Sequence, residues 1–305
     1  MSESYIRANG IRLAYEEFGH KRGTPLLLIM GLGTQMIAWP LSFCESLAEQ
    51  GFRVIRFDNR DIGLSEKMEN AHIPRASGML LRSALGLPVR AAYTLEDMAS
   101  DAVGLMDALN IDQAHLVGAS MGGMIGQIVA ARHGHRLLSF TSIMSSSGDR
   151  KLPGARRDVT TTMVKRSLGI EKPTLENTMA YWRLIGSPGY PASDAELKQK
   201  IEASLERSFY PQGYSRHLAA IMASGSRVTL LKRITVPTLV IHGKDDALVP
   251  VECGIDTARH IRGAQLEIIA GMGHNLPEAL VPKLVDLITD LAHRAEGKSP
   301  LRHAS

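Results

Sequence analysis

Three residue types that together activate a hydroxyl fall at the ends of short apolar runs in this 305-residue chain. Ser120 closes the run Leu116-Val117-Gly118-Ala119, and a helix-compatible stretch, Met121-Gly122-Gly123-Met124-Ile125-Gly126, starts immediately after it. The pattern Gly118-x-Ser120-x-Gly122, with a strand before and a helix after, is that of a nucleophile elbow. Such a turn strains the serine backbone so that the hydroxyl points into a cleft, and side chains two residues before and after would collide. The plain structural alternative is a tight βα turn with Ser120 as a helix N-cap. Residues further along the chain argue against it.

A serine hydroxyl needs a general base in reach, and that base needs an orienting carboxylate. Two loops after apolar runs can supply them. His242-Gly243-Lys244-Asp245-Asp246-Ala247-Leu248-Val249-Pro250 offers two acids, Asp245 and Asp246, and Ala270-Gly271-Met272-Gly273-His274-Asn275 offers His274. Small residues around His274 leave its ring free to reach a serine. The other histidines fit less well. His115 lies in the strand before the elbow, His133 and His135 at a helix end and His217 in a helical region, while His242 reads as shaping the acid loop. Acyl transfer also needs donors aimed at the developing oxyanion. The backbone amide of Met121 is one, and the amide of Leu32, in the loop Gly31-Leu32-Gly33-Thr34, is the other.

Positioning these groups is the task of the surrounding elements. Tyr5 to Phe18 alternates apolar and polar around Asn9-Gly10, which predicts a β-hairpin. Continuous apolar runs at 25–30, 52–57, 114–118 and 137–144 predict buried strands, with helices near 38–50, from Thr94, and from the elbow to His133-Gly134. The order is that of a parallel sheet with helices on both faces. In such sheets reactive groups collect at the carboxyl ends of the strands. Residues 66–93 are less regular, with short apolar pieces broken by Gly and Pro88, and fit either a packing excursion or an entrance wall to a site. From 148 to 233 the periodicity is helical, over about 155–168, 174–186, 193–208, 213–223 and 226–233. Ser193 and Glu196 there have capping-box spacing. Strands resume at 236–241 and 265–269, and a final amphipathic helix covers 281–295. The expected division is a core of 1–147 and 234–305 with a helical insertion at 148–233.

Composition narrows the function classes. The chain is 44% hydrophobic and 22% charged with net charge +4, and its basic excess shows no nucleic-acid reading module. Cys44 and Cys253 lie far apart without metal-ligand spacing. Two free thiols, no signal pattern at the N-terminus and no apolar run near the length of a bilayer predict a cytoplasmic protein with no membrane partner. Monomer and homodimer are both compatible with the sequence.

With these residues placed, the chain resembles the α/β-hydrolase-fold serine hydrolases over nearly its whole length. The motifs are Gly31-Leu32-Gly33 after a buried strand, Phe57-Asp58-x-Arg60-x-x-Gly63-x-Ser65, the Ser120 elbow, the Asp246 loop and Gly273-His274. Within the fold it most resembles the small esterases related to aclacinomycin methylesterase. It departs from many members in having Met30-Gly31 where they have His-Gly. The resemblance implies a mostly parallel central sheet with helices on both faces and an inserted helical cap. It also implies a catalytic triad in the order Ser120, Asp246, His274, with Asp246 preferred to Asp245 by its spacing from His242 and Pro250. No metal or cofactor is implied. The expected function is hydrolysis of small to medium apolar carboxylic esters through an acyl-enzyme. Lactonase, C–C hydrolase and perhydrolase activities can use the same triad, and a non-catalytic ligand-binding protein on this fold is the alternative from another class. Epoxide hydrolases and dehalogenases usually carry Asp at the elbow, so Ser120 counts against both. Met179, Trp182 and Ile185 of the helical insertion are candidate pocket residues.

Overall fold

A computed structural model describes residues 3–73, 78–79, 82, 85, 87–167, 170–172 and 174–298. Strands β1 (Ser4–Ala8) and β2 (Ile11–Phe18) pair antiparallel across Asn9 and Gly10, whose φ values of 48° and 81° give the expected primed turn. There follow β3 (Thr24–Ile29), α1 (Leu41–Glu49), β4 (Phe52–Phe57), α2 (Leu95–Ala108), β5 (Ala114–Ala119), α3 (Met121–Arg132) and β6 (Leu137–Ile143). The helical block then comprises α4 (Arg157–Ser167), α5 (Leu175–Ile185), α6 (Asp194–Arg207), α7 (Pro211–Ser224) and the single turn α8 (Val228–Leu231). The chain returns to the sheet with β7 (Thr238–Gly243), α9 (Val251–His260), β8 (Gln265–Ile269) and α10 (Val281–Ala295).

The strands form one sheet in the order β1-β2-β4-β3-β5-β6-β7-β8. From β4 to β8 all pairings are parallel, and β2 joins β4 antiparallel. In β3, alternate side chains serve opposite faces: Leu27 and Ile29 pack toward α2 and α3, and Leu26 and Leu28 toward α1 and α10. The strand is buried on both sides, which explains its unbroken apolar sequence. Parallel order also brings the ends of β3, β5, β7 and β8 to one edge, so the loops bearing Leu32, Ser120, Asp246 and His274 meet there.

Local sequence sets most element ends. Thr94 and Asp97 make a reciprocal capping box on α2, and Ser193 and Glu196 make one on α6. Two ends differ from expectation. Helix α1 starts at Leu41 rather than near Ala38, because Pro40 has extended backbone (ψ 140°) and leaves Met36–Ala38 as a separate 3-10 turn. Helix α3 stops at Arg132, where expected, but its end is not a left-handed glycine: His133 caps it and a separate 3-10 turn at Gly134–Arg136 follows. Among the described residues of 148–233 there is no strand. Part of the irregular 66–93 segment lies outside the described residues, and Met79 and Val89 within it pack on Ala219 of α7.

The helical block is tied to the core by buried polar contacts. The Arg216 guanidinium of α7 meets the Asp61 carboxylate at 2.7 and 3.0 Å, and neither side chain is exposed. Tyr93 Oη and the Met68 amide also donate to Asp61. Burial alone would raise the Asp61 pKa; the bonds from Arg216 and Tyr93 outweigh it and hold the carboxyl below its usual range. Where the block rejoins the core, Arg227 donates to Gln127 Oε1 at 3.0 Å and to the Ser146 carbonyl at 2.9 Å. Replacing Arg216 by Leu strands a buried carboxylate, and urea unfolding should show a loss of about 3–5 kcal/mol. A loss under about 1 kcal/mol would mean that Asp61 finds solvent once the pair is broken.

Candidate active site

The elbow is a consequence of backbone sterics. Ser120 has φ 54° and ψ −118°, a conformation that costs an L-residue about 1–3 kcal/mol. Its amide donates to the Ile143 carbonyl at 2.9 Å, and its carbonyl accepts from Ser145 Oγ at 2.8 Å. The turn is so tight that a Cβ on Gly122 would lie 2.0 Å from the Ile29 carbonyl oxygen, and one on Gly118 2.3 Å from that of Gly122. No larger residue fits at either place.

His274 connects the serine to a carboxylate. Its Nε2 lies 3.0 Å from Ser120 Oγ and its Nδ1 2.7 Å from Asp246 Oδ2. A carboxylate only accepts, so Nδ1 carries the proton and Nε2 presents its lone pair to the serine hydroxyl. The other Asp246 oxygen accepts from the amides of Leu248 and Val249, at 2.9 and 2.8 Å. The His274 amide donates to the Ile185 carbonyl at 2.7 Å, so α5 helps to fix the histidine. Asp245 is exposed and accepts from the Gly271 amide at 2.8 Å; it braces the loop and does not meet the histidine.

The loop after β3 runs beside the nucleophile. A Cβ on Gly31 would lie 3.5 Å from Ser120 Oγ. Among the described residues, no group engages the amide of Leu32 or that of Met121. Both are therefore free to donate to a substrate oxygen beside Ser120.

Residues 24–161 match the family described as alpha/beta hydrolase fold. The chain is 29% identical over 300 residues to rhodomycin D methylesterase DauP of a Streptomyces species, covering 92% of this chain and 94% of that one. It is 30% identical to the protein named "Putative carbamate hydrolase RutD" of Pantoea ananatis, over 68% of this chain and 76% of that one. Among solved structures, a meta-cleavage product hydrolase from Pseudomonas fluorescens superposes with a TM-score of 0.76 at 22% identity, covering 96% and 98% of the two chains. The chain belongs to the α/β-hydrolase family.

The three pocket candidates of this hydrolase sit differently from one another. Trp182 and Met179 are half-buried on α5, and Trp182 meets the Tyr181 ring edge-on at 6.2 Å. Ile185 is buried against Val159 and Ala247, and acts on the site through its carbonyl. Among the described residues, no group of three or more His, Cys, Asp or Glu is arranged to hold a metal ion, and no helix is long and apolar enough to cross a membrane. Several contributors escaped sequence reasoning. Asn59 Nδ2 donates to the Met30 carbonyl at 3.0 Å, and Asp58 accepts from the Met36 amide at 2.7 Å. Both belong to the Asp58-x-Arg60 motif, whose bearing on the loop after β3 shows only in space. His217, set aside above as a helical-region histidine, accepts from the Gly33 amide at 3.2 Å.

Three buried histidines have lowered pKa values: His115, His242 and His217, the last brought down to about 4. Burial is the main cause in each case. The His242 Nε2–H donates to the Val249 carbonyl at 2.8 Å, which shapes the acid loop as expected. A histidine near 6.5 when unfolded but near 4 when folded favours folding fully above about pH 6.5. As pH falls from there toward 4, the unfolded chain takes up the proton first and stability drops, by up to about 3 kcal/mol for His217. Urea midpoints should therefore fall between pH 6.5 and 4, less steeply in His217→Asn than in wild type. Parallel slopes would show that His217 is not held neutral.

Proposed function

We propose that this hydrolase cleaves small to medium apolar carboxylic esters through an acyl-enzyme, with Ser120 as nucleophile, His274 as base and Asp246 as its orienting acid. The observation that carries the reading is the continuous path Asp246 Oδ2–His274–Ser120 Oγ, with links of 2.7 and 3.0 Å, ending on a serine held at φ 54°. As Ser120 Oγ bonds to the ester carbonyl carbon, its proton passes to His274 Nε2, and Asp246 stabilises the imidazolium. The carbonyl oxygen becomes an oxyanion and takes hydrogen bonds from the Leu32 and Met121 amides. Collapse breaks the C–O bond to the alcohol, which leaves with the proton from His274. A water molecule then gives a proton to His274 as its oxygen attacks the acyl-enzyme, and the carboxylic acid and free Ser120 are regenerated. The methylesterase name of the Streptomyces relative supports an ester substrate.

In this reading residues 148–233 are a cap over a core made of 1–147 and 234–305. Trp182 and Met179 belong to the wall that the cap presents to the acyl or alcohol group, whereas the Ile185 side chain is packed away from it against Val159 and Ala247. The two cysteines, both free and buried, suit a reducing compartment such as the cytoplasm.

Hydrolysis of p-nitrophenyl esters over a series of acyl lengths tests the proposal. Ser120→Ala should lose at least about three orders of magnitude in kcat, and Asp246→Asn about 10⁴-fold through the wrong histidine tautomer. Asp245→Asn should stay within about threefold of wild type. Wild-type turnover of lactones or C–C substrates, with every ester inert, would transfer the same triad to the alternative reading. A rate that climbs with acyl chains well beyond about ten carbons would point to a lipase and overturn the substrate class.

A further inference from the structure

The peptide plane that carries the Leu32 amide hydrogen lies between two planes that side chains clamp. On one flank, the Met30 carbonyl accepts from Asn59 Nδ2 at 3.0 Å. On the other, the Gly33 amide donates to His217 Nδ1 at 3.2 Å. Asn59 follows β4 in the core, whereas His217 comes from α7 in the helical block, so the second clamp reaches across from the cap.

The chemistry of the ring determines what His217 can do. Its Nε2 lies 2.7 Å from the Arg60 carbonyl oxygen, which can only accept. Nε2 therefore carries the proton, and Nδ1 is left as the acceptor for Gly33. A protonated ring would set N–H against N–H. Burial opposes that charge and lowers the pKa to about 4, so the ring is neutral at pH 7. The ring is also fixed from behind. The neighbouring Arg216 is locked onto Asp61, and Tyr93 lies edge-on to the imidazole with centroids 6.3 Å apart. Three residues earlier on the same helical face, Tyr214 covers Gly33 so closely that a Cβ there would lie 2.5 Å from its ring. Gly33 itself has φ 63°. Helix α7 thus presses on this one peptide with two side chains.

We infer that His217 is a positioning residue of the cap, holding the Gly33 peptide and through it the aim of the Leu32 amide at the developing oxyanion. The inference rests on the ester-hydrolase reading above. An oxyanion donor matters most once charge gathers on the carbonyl oxygen, so loosening one flank of its peptide lowers kcat and leaves KM nearly unchanged.

Two substitutions separate the ring's two bonds. His217→Asn places an amide oxygen where Nδ1 was and keeps an acceptor for Gly33. His217→Gln places a nitrogen where Nε2 was and keeps the bond to Arg60 alone. On a p-nitrophenyl ester, the Gln variant should lose about tenfold to a hundredfold in kcat, less than deletion of a donor outright costs. Its KM should stay within about threefold, and the Asn variant should recover kcat to within about threefold of wild type. Amide hydrogen exchange at Gly33 should quicken in the Gln variant and remain slow in the Asn variant. Wild-type kcat in the Gln variant, equal losses in both variants, or a loss borne by KM would overturn the inference. Imidazole nitrogen shifts in the NMR spectrum of the wild-type protein decide the matter even if a variant does not fold. They should show His217 protonated on Nε2 at pH 7, and protonation on Nδ1 would overturn it. Failure of the ester reading is recognised separately, by Ser120→Ala hydrolysing the ester as fast as wild type.

Discussion

Ser120 is held at φ 54°, and almost every feature around it answers to that conformation. The strain persists because neighbouring structure over-determines it: β6 takes its amide, Ser145 its carbonyl, and two glycines let helix α3 pass under the end of β3 without collision. The same constraint turns the hydroxyl toward the carboxyl edge of the sheet, where the loops after β7 and β8 deliver Asp246 and His274. Moving α3 outward to relieve the strain would separate Gly122 from the Ile29 carbonyl and open the site that the packing builds.

The histidine tautomer is the second thing the architecture has to set, and two histidines set it in opposite senses. At His274 a carboxylate claims the Nδ1 hydrogen, so Nε2 becomes the acceptor that a serine proton requires. At His217 a carbonyl claims the Nε2 hydrogen, so Nδ1 becomes the acceptor that a backbone amide requires. Each ring has one hydrogen and one lone pair, and both are engaged. Buried acceptor groups, rather than the histidines themselves, determine what each ring does.

The stretch Asp58-Asn59-Arg60-Asp61 shows why some of the site was illegible in the sequence. Read linearly, it is a polar run after a strand, and nothing in its spacing says what it holds. Folded, Asp58 and Asn59 hold the loop after β3 from below, while Asp61 anchors α7 through Arg216. By contrast, Asp246 and Asp245 were separable only through family spacing, and the fold gives the physical distinction. Asp246 is turned inward under two loop amides, and Asp245 is turned out to brace Gly271. Ile185 has the apolar side chain of a pocket residue, yet its carbonyl is the part that touches His274.

What the sequence determined by itself is local: the buried strands from their apolar runs, the helix starts from Thr94 and Ser193, and the elbow from glycines on either side of Ser120. Each follows from sterics, capping or burial within a window of a few residues, which short-range order is enough to specify. That Ser120, Asp246 and His274 meet was legible because parallel strands bring their carboxyl ends to one edge whatever lies between them. The grip of the helical block on the site was decided by tertiary structure. Gly33 and His217 are 184 residues apart and Asp61 and Arg216 are 155 apart. No periodicity links such pairs; they meet because α7 packs over the loop after β3, where burial turns an ordinary histidine into a neutral ring with one hydrogen and one lone pair to place.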